Sequence, residues 1–155
     1  MKRLYLGFIA AVAISVAAWG LYATIRPAAT TYTDQAHRFS VELPAGSTEQ
    51  DFHSTDGYAE TLILRDGSDY VQVSITSWAG SADLTETSPA RDSLLPPNVT
   101  PQAISVAGRK GIAFEALPDS DSNVWVASGG YLYQLVEFRS RSDFLRTVTA
   151  HWKFN

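Results

Sequence analysis

Cysteine is absent from the 155-residue chain. That excludes disulfides, thiolate nucleophiles, iron–sulfur clusters and thiolate-ligated zinc. It also excludes a lipid-bearing cysteine of the lipoprotein kind. It leaves an exported location open, because oxidising compartments permit disulfides without requiring them. No Gly-x-Ser-x-Gly elbow and no phosphate-cradling glycine loop is present, so neither motif supports a hydrolase or a nucleotide enzyme. There is no internal repeat and no low-complexity tract. Charge is missing over one long stretch: none of the 22 residues from Leu4 to Ile25 is ionisable at neutral pH.

That uncharged run is the strongest signal in the chain. As a helix it is about 33 Å long, enough to cross a hydrocarbon core of about 30 Å. Lys2 and Arg3 precede it and only Arg26 directly follows. The positive-inside rule then puts the N-terminus in the cytoplasm and the rest outside. Tyr5, Trp19 and Tyr22 lie toward its ends, where amphipathic rings suit the headgroup zone. Residues 1–26 are therefore expected to be an uncleaved signal-anchor. Two other readings stay open. A cleaved signal peptide would exit after Ser15-Val16-Ala17 or Leu21-Tyr22-Ala23, both inside the apolar stretch. A prepilin-type leader would be cut between Gly7 and Phe8, but Val12 stands where such proteins usually carry glutamate.

Residues 27–36 read as a flexible polar linker, since Pro27 cannot continue a helix and alanine and threonine follow. Residues 37–155 form the outer domain. Of the 12 basic residues, three (Lys2, Arg3 and Arg26) belong to the anchor, leaving residues 27–155 with nine against 16 acidic ones, a net charge of −7. An acidic domain without a basic cluster argues against nucleic acid or anionic lipid as a partner. A solvated surface that resists aggregation accounts for the sign.

Along the outer domain, strand signals dominate. Phe39, Val41 and Leu43 alternate with Ser40 and Glu42, and Pro44 and Gly46 end the run. Residues 47–58 read as polar and turn-rich. Thr61–Arg65 leads through Asp66-Gly67-Ser68 into Tyr70–Trp78, a hairpin whose second arm puts Val71, Val73 and Ile75 on one face. Ser88-Pro89 starts a short helix that Pro96-Pro97 stops. Four more strands follow: 102–106, 111–117, 123–127 and 131–138. They are joined by turns at Ala107-Gly108-Arg109 and Ser128-Gly129-Gly130 and a loop at 118–122. Ser142 reads as the cap of a last helix, with Leu145, Val148 and Trp152 on one face. The tail from His151 suits either the end of that helix or a short strand. The sum is an α+β fold: an antiparallel sheet of about seven strands with one or two packed helices.

The order of these phrases resembles a family. Tyr32 and Asp34 precede "FSVELP". A β-branched hairpin and a middle helix follow, then "ISVAGRKGIAFEA", "WVASGGYLYQLVEF" and a helix ending in "WKF". This is similar to the PsbP-type fold, shared with DcrB-like bacterial envelope proteins. The resemblance covers about Tyr32 to Phe154 and implies an antiparallel sheet packed between helices. It further implies a non-catalytic binding or assembly module.

Candidates for chemistry are few. His37, His53 and His151 are the only histidines, and none is followed two or four residues on by a second histidine or a carboxylate. Asp119-Ser120-Asp121-Ser122-Asn123 begins like a calcium loop, but Val124 and Gly130 occupy the places of its glycine and glutamate, so a polar hairpin loop is the expectation. Arg38 and Glu42 read as solvent-side groups. Trp78, Trp125 and Trp152 with Tyr70, Tyr131 and Tyr133 suit core packing or an exposed binding platform. No catalytic, cofactor-binding or metal residue is assigned, and no cofactor is expected. The expected function is a membrane-anchored, extracytoplasmic, non-catalytic module with an envelope protein as partner. A small anchored hydrolase or metal-dependent enzyme is one alternative, and a pilus or secretion component is another.

Overall fold

The computed structural model describes residues 28–53, 59–80, 83–84, 99–116, 121–138 and 143–155. Seven antiparallel strands form one sheet in the order β3 (Thr48–His53), β4 (Ala59–Asp66), β5 (Asp69–Ser77), β9 (Tyr131–Glu137), β8 (Asp121–Ser128), β7 (Arg109–Ala116) and β6 (Gln102–Val106). A second sheet sets β2 (Phe39–Leu43) between β1 (Thr30–Asp34) and β10 (Trp152–Phe154), again antiparallel. Among the described residues there is one helix, α1 (Phe144–Ala150). The helix expected at Ser88 and the apolar segment 4–25 lie outside the described residues. No helix among the described residues is long and apolar enough to cross a membrane.

The hairpin turns fall where the sequence puts them. Asp66 pairs with Asp69 across Gly67-Ser68, and Val106 with Arg109 across Ala107-Gly108. Ser128 pairs with Tyr131 across Gly129-Gly130. Gly129 and Gly130 both have positive φ, +60° and +86°. That is the signature of a type I′ turn, whose twist matches that of the flanking strands.

Apolar residues line both faces of the large sheet, because its central strands alternate two apolar sets. Leu62, Leu64, Val71, Val73, Ile75, Val124, Val126, Tyr133 and Leu135 share one cluster with Phe39, Val41, Leu43, Phe144, Leu145, Val148 and Trp152. The small sheet and α1 thus close the first face. Ile112, Phe114, Trp125, Ala127 and Leu132 form the second face, packed with Leu84 and partly with Trp78 and Val99. Trp125 and Trp152 are therefore core residues, as packing alone requires.

Several expectations need correction. The linker reading of 27–36 fails over Thr30–Asp34, which is a strand, so the folded domain begins before His37. Its residues are polar and at most half-buried. Backbone pairing with β2, and not an apolar face, holds it in place. The turn-rich reading of 47–58 fails over Thr48–His53 for the same reason, since β3 is the edge strand of the large sheet. Among the described residues, a second sheet of three strands stands beside the expected one of seven. The helix N-cap is Asp143, not Ser142. The tail is a strand: Trp152 pairs with Val41 in β10. Its spacing from Leu145 and Val148 is helical, yet it reaches the same core from a different element. Asp121, Ser122 and Asn123 open β8 rather than closing a loop, and Asp119 and Ser120 lie outside the described residues.

Candidate functional site

The small sheet meets the first face of the large sheet at the turn from β1 to β2, residues 35–38. Asp34, at the end of β1, fixes this turn twice. Its Oδ1 accepts the backbone N–H of His37 at 2.9 Å, and its Oδ2 lies 2.8 Å from His37 Nδ1. Short aspartate side chains stabilise turns this way, by standing in for a backbone carbonyl. Arg38 then takes a positive φ of 58°, which turns the chain into β2. Across the interface Tyr133 on β9 donates its hydroxyl to the His37 carbonyl at 2.5 Å. Tyr131 on the same strand packs edge-on against the imidazole, with ring centroids 4.9 Å apart.

A second carboxylate converges on the same ring nitrogen. Glu60 on β4 sets its Oε2 3.2 Å from His37 Nδ1. Asp34 and His37 are nearly enclosed, with side chains 11% exposed, whereas Glu60 is 38% exposed and faces the opening. Beside this trio, Tyr32 donates its hydroxyl to Asp51 on β3 at 2.9 Å. Burial, the Asp51 hydrogen bond and the charges of Asp51, Asp34 and Glu60 all raise the Tyr32 hydroxyl well above its ordinary pKa. Three carboxylates and one imidazole thus gather at the junction of the two sheets.

Burial first, then the charge of Asp34 and the neighbouring Tyr131, pushes the Tyr133 hydroxyl from its usual 10 up to about 12. The sign of the consequence follows from linkage. Between those values the unfolded chain has lost this proton and the folded chain still holds it, so stability present below pH 10 falls as pH rises toward 12. Denaturant titrations across that window are expected to show a shallower decline for Tyr133→Phe than for the wild type.

His151 is exposed, and its Nδ1 contacts the Thr147 carbonyl at 2.9 Å at the end of α1. His53 sits in β3, opposite Glu60 in backbone register. Arg38, in the turn, and Glu42, on β2, are both exposed. The sequence reading missed Glu60 and the role of Asp34. The Asp34-x-x-His37 spacing was visible but belongs to a turn, where helical spacing rules do not apply. Glu60 is brought in by sheet packing and has no local signal.

Two open clefts lie elsewhere, between α1 and strands β6 to β8. One, of about 460 Å³, is lined by Gln102, Glu115 and Asn123 among others. The other, of about 350 Å³, includes Ser105, Glu137 and Arg146. Glu137 is buried and accepts the Leu145 N–H at 3.2 Å, anchoring the first turn of α1 to the sheet. Neither cleft contains Asp34, His37 or Glu60.

No family profile matches the sequence, and no curated protein is similar to it in sequence. Among solved structures, the fold is similar to the solution structure of cyanobacterial PsbP (CyanoP) from Synechocystis sp. PCC 6803. The TM-score is 0.51 at 13% identity, over 84% of this chain and 95% of that one. The chain therefore has a PsbP-type fold, and identity this low carries the fold alone.

Proposed function

We propose that the chain is a membrane-anchored, extracytoplasmic, non-catalytic binding or assembly module of the cell envelope. The observation that carries this reading is where the fold starts. β1 begins at Thr30, so only residues 27–29 separate it from Arg26 at the end of the apolar segment. Three residues reach about 10 Å at most. A domain tethered so closely sits against the headgroups, with little freedom to roam.

Its net charge of −7 suits a soluble face beside that surface better than adhesion to anionic lipid. The clefts beside α1 fall in the size range of ligand or side-chain pockets. They are the natural seats for a partner. The PsbP-type fold, with the sequence resemblance to DcrB-like envelope proteins, supports a binding role. One observation favours the anchored metal-dependent enzyme instead: His37 lies within reach of two acids. Against it, Asp34 is held by the turn, and both clefts lie apart from the imidazole.

The test is site-directed photo-crosslinking in intact envelopes, with the probe at Gln102 or Ser105 of the full chain. A discrete adduct with the same partner from both positions is expected. Absence of any adduct, together with loss of cellular function in His37→Gln, contradicts the binding reading and favours the enzyme.

A further inference from the structure

We propose that Asp34, His37 and Glu60 form a binding site for a divalent first-row transition ion, with zinc as the preferred occupant. The donor set is one imidazole nitrogen and two carboxylate oxygens. Zinc and its neighbours take this mixture, whereas calcium and magnesium take oxygen alone. All three donor atoms lie within 4.8 Å of one another. The two nitrogen–oxygen separations are 2.8 and 3.2 Å. Bonds of about 2.0–2.1 Å in a tetrahedron set ligand atoms about 3.3 Å apart, so both nitrogen–oxygen pairs need only a small expansion to take an ion between them.

A second observation points the same way. Both carboxylates address the same nitrogen, Nδ1. A neutral imidazole offers there either one N–H or one lone pair. One N–H cannot serve two carboxylates well, and a lone pair repels both. A divalent ion on that lone pair serves all three donors, and its charge balances the two carboxylates.

The surroundings resemble the outer shell of a metal site. Asp34 is oriented by the His37 N–H, and the His37 carbonyl is held by Tyr133. Enclosure of Asp34 and His37 with Glu60 at the opening leaves one side for entry and for a water as fourth ligand. The ion joins the β1–β2 turn to β4, and so ties the small sheet to the large one. This proposal goes beyond the binding role and does not depend on it.

The experiment is calorimetric titration of Zn²⁺ into the untagged full chain in detergent micelles, after dialysis against chelator. One equivalent is expected to bind and to raise the melting temperature, since a ligand that favours the folded state stabilises it. Loss of an outer-shell partner costs about 10–100-fold in affinity, so loss of a direct ligand in Glu60→Gln is expected to cost more than about 10-fold. His151→Gln, at an exposed residue away from the cluster, is expected to bind as the wild type does. No saturable binding, unchanged affinity in Glu60→Gln, loss in His151→Gln, or tighter binding of Ca²⁺ than of Zn²⁺ each overturns the proposal. If Glu60→Gln does not fold, the wild-type chain loaded with Co²⁺ decides. Intense visible bands of a four-coordinate ion support the site, and the weak spectrum of six-coordinate aqueous Co²⁺ overturns it.

Discussion

Phe39→Ala is expected to remove about 3–5 kcal/mol of stability, the range for deleting a fully buried phenylalanine. Phe39 is completely buried. Its ring stacks on Trp152 at 4.3 Å with an interplanar angle of 7°, meets Tyr133 edge-on at 5.7 Å and lies 5.9 Å from Tyr32. These neighbours come from β10, β9 and β1. One side chain therefore joins all three strands of the small sheet to the large sheet. Alanine keeps the backbone pairing but leaves a void that rigid rings cannot collapse to fill. Since such domains have about 5–15 kcal/mol in total, the loss is a large share. Denaturant unfolding is expected to show a lower midpoint with the slope retained. Phe52→Ala is the contrast. Phe52 is 45% exposed on the edge strand β3, and its loss is expected to stay within about 0.5 kcal/mol, as at most surface sites. Equal effects of the two substitutions contradict the packing account.

Deleting residues 2–26 is expected to move the chain almost entirely from the membrane to the soluble fraction while leaving the domain folded. The 22-residue uncharged run is the chain's one long apolar segment. Insertion of a helix of that length is effectively irreversible, whereas a single acyl chain binds only marginally. The domain's first strand begins at Thr30 and takes its hydrogen bonds from β2. No described contact of the fold needs the deleted residues. Mass spectrometry of the membrane-bound wild type is expected to find residues 1–26 intact. A mature chain starting after Ala17 or Ala23 supports a cleaved signal peptide, and one starting at Phe8 supports a prepilin leader.

Which parts were legible in the sequence follows from where their information is stored. β2, β5 and β9 are written as alternation, because each buries one or both faces, and the glycine-bearing turns are written in dipeptides. β1 and β3 were not legible. They are polar strands at the sheet edges, positioned by backbone pairing that leaves no periodic mark on the side chains. The last turn of chain was half legible: Trp152 had to be buried, but burial does not say whether a helix or a strand delivers it. His151 ends α1 by donating its backbone N–H to the Thr147 carbonyl at 3.2 Å, and β2 offers Trp152 a free edge. The candidate site was least legible. Asp34 and His37 are neighbours in sequence, yet Glu60 arrives through the packing of one sheet on another. Nothing near Glu60 in the sequence announces a partner 23 positions upstream.

We propose a folded domain held close against the outer side of a membrane. Protease treatment of intact spheroplasts, followed by blotting for both ends of the full chain, tests that most directly. The expected result is a chain that stays with carbonate-washed membranes and loses its C-terminal epitope to external protease, while a short N-terminal fragment survives in the membrane. A chain released by carbonate, or one whose C-terminal epitope becomes accessible only after lysis, contradicts it.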